Sequence, residues 1–176
     1  MSNDYGKNFS PFAYIGMASS STAQAAGNGR VNFAVNSSAD SYEESQVTTG
    51  DPEFTTDIAA TFTTGSRITV NKRGLYRVDL QAVIQGTADV AGTADGPDDL
   101  ELSLYKNNAA LSPVCKNTQD IALLEQGGDN VGEATFYMSR VLWLEAGDYL
   151  QPYFSSGDSD DVTPTVVSIE LCITEQ

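Results

Sequence analysis

The chain has 176 residues, the size of one domain, and a 40% hydrophobic content that excludes an unfolded acidic tail. Its 24 acidic against 9 basic residues leave a formal charge of -15, so no nucleic acid and no anionic membrane surface is expected as a partner. No apolar run approaches the roughly 20 residues of a membrane-spanning helix.

Residues 1–10 are polar and aperiodic, and they read as an N-terminal arm. They contain no apolar core of a secretory signal, so the product is expected to remain in the cytoplasm where it is made. Residues 11–176 read as the folded domain. Phe12–Met17 is a first candidate strand, and Ala18–Gly29 is a loop of small residues. Val31, Phe33 and Val35 then alternate with Asn32 and Ala34. Tyr42–Val47 and Ile58–Phe62 alternate less regularly, and Arg67–Val70 is short and β-branched.

The alternation is clearest from residue 75 on. Tyr76, Val78, Leu80, Ala82 and Ile84 share one phase, with Arg77, Asp79 and Gln81 on the other. Leu100, Leu102 and Leu104 oppose Glu101, Ser103 and Tyr105. Phe136, Met138, Leu142 and Leu144 oppose Tyr137, Ser139, Val141 and Trp143. Tyr149–Phe154 follows, and Val167, Ile169, Leu171 and Ile173 close the chain on one phase. Gly65-Ser66, Asn107-Asn108, Gly127-Gly128, Gly147-Asp148 and Ser156-Gly157-Asp158 supply turn residues between these runs. A period of two with one apolar phase predicts an all-β, two-sheet antiparallel sandwich. The segments Gly86–Asp99 and Lys116–Gly132 read as long loops, and no amphipathic helix is visible.

Residues suited to catalysis are few. The chain has no histidine, the commonest general base and metal ligand. Neither a nucleophile elbow nor a phosphate-binding glycine loop occurs, so a non-enzymatic protein without a cofactor is expected. Asp95, Asp98 and Asp99 cluster in one segment, and Asp158, Asp160 and Asp161 in another. Such carboxylates suit calcium, yet aspartate is also an ordinary turn residue and neither cluster has the spacing of a calcium loop. Cys115 and Cys172 fit no metal spacing and read as two buried thiols, with a disulfide left open. Arg67, Lys72, Arg73 and Arg77 form the densest basic stretch, suited either to an acidic partner or to a solvated strand end. Asn8 and Asn36 head glycosylation sequons that have meaning only in a secreted chain.

Several segments in order resemble the globular domain of the C1q and tumour-necrosis-factor superfamily. Gly74-Leu75-Tyr76-Arg77-Val78 is similar to a strand opening of that family. Leu102-Ser103-Leu104-Tyr105-Lys106-Asn107 is similar to its serine-leucine-aromatic-lysine-asparagine strand. Leu144-Glu145-Ala146-Gly147-Asp148 resembles its Gly-Asp turn, here read as a tight hairpin, and the aromatic strand Tyr149–Phe154 follows it. The resemblance spans about residues 10–176 and implies a ten-strand jelly roll assembled as a tight homotrimer. Along its threefold axis the resemblance implies aromatic packing, for which Tyr76, Tyr137, Trp143, Tyr149, Tyr153 and Phe154 are the candidates, with core packing the alternative role. Some family members bind calcium near that axis. Residues 1–10 carry no collagen-like repeat, a departure from the family's secreted members.

A jelly roll made in the cytoplasm, with an arm and no catalytic groups, suits a virion assembled in a host cell. The expected function is a bacteriophage capsid decoration or cement protein, or a head spike or fibre. Its partners would be copies of itself and the major capsid protein or another virion protein. Tyr5, Lys7 and Phe9, with Phe12 just beyond, are the expected anchors to that partner. The alternative is a C1q-like bacterial surface or ligand-recognition module, and a cytokine-like ligand is the third reading.

Overall fold

Successive side chains of a strand point to opposite sides of its sheet, and a computed structural model arranges the described residues in twelve strands. The structure describes residues 12–17, 29–30, 41–45, 54–57, 67–88, 98–107, 112–121, 124–126, 129–156 and 162–176. The strands are β1 (Phe12–Met17), β2 (Gly29–Arg30), β3 (Ser41–Ser45), β4 (Phe54–Asp57), β5 (Arg67–Val70) and β6 (Gly74–Ala88). There follow β7 (Asp98–Lys106), β8 (Cys115–Ile121), β9 (Leu124–Gln126), β10 (Asp129–Leu144), β11 (Tyr149–Ser156) and β12 (Val162–Glu175). No helix occurs among the described residues.

Two antiparallel sheets face one another. The first has the order β3-β1-β12-β6-β10-β9, and the second has the order β4-β5-β11-β7-β8, with β2 also paired to β11. The chain passes from the second sheet at β5 to the first at β6, back at β7, and crosses again after β8, β10 and β11. The last strand is thereby placed in the middle of the first sheet, between β1 and β6. This is a two-sheet jelly-roll sandwich, as the alternation and the resemblance both predict.

The apolar phase of each strand fills the space between the sheets. Val78, Leu80, Ala82 and Ile84 of β6 meet Phe136 and Met138 of β10 and Ile169, Leu171 and Ile173 of β12 in one buried cluster. Leu100, Leu102 and Leu104 of β7 and Leu150 and Phe154 of β11 close it from the second sheet. Tyr76 is wholly buried at one end. Its hydroxyl donates to the Lys72 carbonyl at 2.7 Å, and its ring meets Phe54 edge-on at 5.8 Å between centroids. A Cβ on Gly74 would lie 3.3 Å from that ring, tighter than ordinary contact.

Three expectations are corrected by the structure. Lys116–Gly132 is not one loop, because β8, β9 and the start of β10 lie within it. Gly147-Asp148 does not turn a hairpin: β10 and β11 belong to different sheets, so Glu145–Asp148 arches between them. Gly147, at a φ of 90° that favours glycine, donates its N–H to the Val70 carbonyl at 2.8 Å, and the Val70 N–H donates to the Asp148 carbonyl at 2.9 Å. In β12 the register shifts between Val166 and Ser168, so Val166 rather than Val167 takes the core position ahead of Ile169. The predicted strands over residues 31–35 and 58–62 lie outside the described residues, as do the arm and residues 89–97.

Candidate functional site

The outward side of the first sheet gathers the large apolar side chains that the core leaves out. Leu75, Tyr137, Val141 and Trp143 are 44%, 57%, 52% and 58% exposed. All four stand on the polar phase of two adjoining strands, β6 and β10, where alternation ordinarily places hydrophilic residues. Leu75 lies directly opposite Trp143, and Arg77 opposite Val141. The next outward pairs are Asp79 with Ser139 and Gln81 with Tyr137. On the far side of β6, Thr174, Cys172 and Glu170 of β12 face Arg77, Asp79 and Gln81. Phe12 and Tyr14 of β1 stand beside Thr174 and Cys172, their rings stacked at 6.3 Å and 2°. A four-strand face results, with aromatic groups at both margins and a polar centre.

Local bonds fix parts of this face. The Trp143 Nε1–H donates to Glu145 Oε1 at 2.8 Å, tying the indole to the first residue of the arch. The Tyr137 hydroxyl donates to Asp79 Oδ1 at 3.2 Å. Burial alone would raise the Asp79 carboxyl, but hydrogen bonds from Ser139, Arg77 and Tyr137 and the Arg77 charge outweigh it and hold the group below the usual carboxylate range.

The six aromatic candidates separate into three places. Tyr137 and Trp143 are on this outward face. Tyr149 and Tyr153 stand on the outward side of the opposite sheet, where the Arg67 guanidinium lies 4.9 Å from the Tyr149 ring centre. Tyr105 and Tyr153 meet there edge-on at 5.4 Å. Tyr76 and Phe154 are 0% and 1% exposed inside one chain, so the expectation that they line a subunit interface is corrected. Sequence reasoning passed over Leu75, Val141, Tyr14 and the Arg77–Asp79 pair as parts of the same face. The available signal was an apolar or aromatic residue on the polar phase of an otherwise regular strand.

The other candidates are scattered. Asp98 and Asp99 begin β7, paired in register with Ile121 and Asp120, while Asp95, Asp158, Asp160 and Asp161 lie outside the described residues. Among the described residues no group of three acidic or cysteine side chains is arranged to hold a metal. The basic stretch is dispersed: Arg67 is on the second sheet, Lys72 and Arg73 are in an exposed crossing, and Arg77 is on the first sheet. Cys115 and Cys172 are free thiols in different sheets and only half-buried, which corrects the expectation of full burial. Burial pushes both thiols up, so neither is primed as a nucleophile. Tyr5, Lys7 and Phe9 lie outside the described residues, and Phe12 belongs to β1.

No family model matches the chain, and no curated protein matches it in sequence. Among solved structures it is similar to one titled Structure of Eiger TNF from S. frugiperda. The identity is 14%, the TM-score is 0.52, and the match covers 94% of this chain and 93% of that one. The topology, the buried core and this likeness along nearly the full length together give the chain the tumour-necrosis-factor-like jelly-roll fold.

Proposed function

We propose that the chain is a non-enzymatic binding protein that assembles as a homotrimer through the outward face of the first sheet. The observation that carries this reading is the exposed cluster of Leu75, Tyr137, Val141 and Trp143 on β6 and β10. Clustered apolar residues of this size on a soluble protein mark an interaction surface. Charge argues for how that surface is used. A chain of formal charge -15 repels its own copies, so they must meet where acids are few or neutralised. At the centre of this face the one aspartate is paired with an arginine on the same strand.

The proposed place of work is a virion, as a capsid decoration or cement protein or a head spike or fibre. A trimer suits the threefold and quasi-threefold positions of a capsid, and an acidic body suits an outer surface away from packaged nucleic acid. Residues 1–10, with Tyr5, Lys7 and Phe9, are the proposed anchor to the particle.

Light scattering of the purified chain tests the assembly. A mass near three times 18.7 kDa is expected. A monomer at micromolar concentration overturns the self-association reading. Mass spectrometry of purified particles from the gene's source tests the placement, and particles without the chain overturn it while leaving the trimer untouched.

A further inference from the structure

An ion pair sits at the polar centre of this face, between its aromatic margins. Arg77 Nε lies 3.0 Å from Asp79 Oδ2 and 3.3 Å from Oδ1, and Arg77 Nη2 lies 3.2 Å from Oδ1. The Tyr137 hydroxyl donates to the same carboxylate, and Ser139 bonds it from the facing position on β10. From β12 the thiol of Cys172 stands directly opposite Asp79, and the carboxylate of Glu170 lies one outward position further along. Tyr14 of β1 flanks Cys172. These are the titratable and charged groups that face Asp79 from its own strand and from the strands packed on either side.

The side chains of Arg77 and Asp79 are 51% and 28% exposed, so water solvates both in the single chain. Covering the face with another protein surface strips that water. A guanidinium tolerates the loss only while a charged carboxylate lies against it. With Asp79 neutral, the same surface would bury an uncompensated cation beside Val141 and Tyr137. In a cyclic assembly every copy would suffer the same penalty.

We propose that Arg77, Asp79 and Tyr137 form an acid-sensitive lock, which lets copies of this chain close over the face while Asp79 is ionised and opens the assembly when Asp79 takes up a proton. This rests on the self-association reading above. The sign follows from linkage. The assembly prefers the ionised form, so assembly lowers the Asp79 pKa below its value in the single chain. Association is therefore full at higher pH and is lost as pH falls through that range. Because bonds from Ser139, Arg77 and Tyr137 already hold the group below the usual carboxylate range, the opening belongs to strongly rather than mildly acid conditions.

Sedimentation equilibrium of the full chain from about pH 7 down to about pH 2 spans the carboxylate range and the acid side below it, and tests the lock. The wild type is expected to dissociate on the acid side. Asp79→Asn strands Arg77 and should weaken association at neutral pH by roughly 30-fold or more, the loss seen when one member of a buried charge pair is removed. It should also abolish the acid limb. The double variant Arg77→Met/Asp79→Leu removes both charges and should return association to within about tenfold of the wild type, with a flat acid profile. Glu170→Gln should leave the acid limb in place. An Asp79→Asn chain that associates and dissociates like the wild type overturns the lock but not the trimer. A double variant as weak as the single one also overturns it, as does an acid limb that disappears in Glu170→Gln. A wild type that is monomeric at neutral pH overturns the self-association reading and the lock together. Far-UV circular dichroism confirms that each variant is folded, and the double variant carries the test should a single one not fold.

Discussion

The side chain of Asp148 ties three parts of the arch together. Its Oδ1 accepts from Asn107 Nδ2 at 2.6 Å, its Oδ2 accepts from the Glu145 N–H at 2.7 Å, and Lys106 pairs with it. Asn107 in turn accepts from the Tyr149 N–H at 2.9 Å while holding a φ of 64°. These bonds explain why Lys106-Asn107 and Gly147-Asp148, far apart in sequence, are recognisable as a pair of motifs: each supplies what the other lacks. Asp148→Ala leaves several donors without their acceptor and should cost about 1–3 kcal/mol, the penalty for orphaned polar groups. Burial alone would raise Asp148, but bonds from Lys106, Asn107 and the Glu145 N–H, with the Lys106 charge, outweigh it and hold the carboxyl below its ordinary value. The stability it contributes is thus present above the ordinary carboxylate range and is lost as pH falls through the folded value. Thermal melts of wild type and Asp148→Ala should differ most near neutral pH and converge in acid. A difference that persists unchanged in acid would sink this account of the arch.

At the level of strands, legibility in the sequence followed burial. β6 and β10 alternate cleanly, as β12 does beyond its register shift, because one side of each meets the core and the other does not, and β7 shows the same apolar phase in Leu100, Leu102 and Leu104. β8 was not legible. In Cys115–Ile121 the half-buried positions are Cys115, Asn117 and Gln119 and the exposed ones are Lys116 and Thr118, so no apolar phase exists to be read. The reason is its place at the edge of the second sheet, beside the part of β10 beyond Val131 that, among the described residues, β9 leaves unpaired. Gln119 Nε2 donates to the Thr135 carbonyl at 2.6 Å and Asn117 Nδ2 to the Tyr137 carbonyl at 3.4 Å. Arg140 Nη1 returns a bond to the Val114 carbonyl at 2.6 Å. Side chains here close a seam between the sheets that strand pairing leaves open, and they occupy acceptors that an invading strand would need. The double variant Asn117→Ala/Gln119→Ala should lower stability by about 1–2 kcal/mol, two ordinary hydrogen bonds' worth. It should also increase irregular aggregation on storage, measured by light scattering. A variant as stable and as monodisperse as the wild type would leave the seam without consequence. The arch after β10 misled for a different reason: a glycine-aspartate pair fits a hairpin as well as a crossing between sheets, and only the pairing of distant strands decides which.

The whole molecule sets an acidic body against an apolar face, and the two pull assembly in opposite directions. In the proposed trimer three copies would bring three times the -15 of one chain into proximity, while Leu75, Val141, Tyr137 and Trp143 would gain by leaving water. The Arg77–Asp79 bond lies within a single strand, so it adds no attraction between copies for salt to screen. Raising ionic strength from about 0.01 M to about 0.15 M shortens the screening length from about 30 Å to about 8 Å. That change suppresses the repulsion between acidic bodies and leaves apolar burial intact, so association should tighten with salt. Val141→Asp should act in the reverse sense at every ionic strength. It places a carboxylate opposite Arg77, in competition with Asp79, and adds an acid at the centre of the face. Its side chain is 52% exposed in the single chain, so the variant should fold normally yet remain monomeric where the wild type associates. Tyr153→Ala, on the opposite sheet, is the matched control and should leave association unchanged. Association that weakens as salt rises would mean that ion pairs across the interface, not burial of this face, hold the copies together. If Tyr153→Ala dissociates the copies and Val141→Asp does not, the contact belongs to the second sheet.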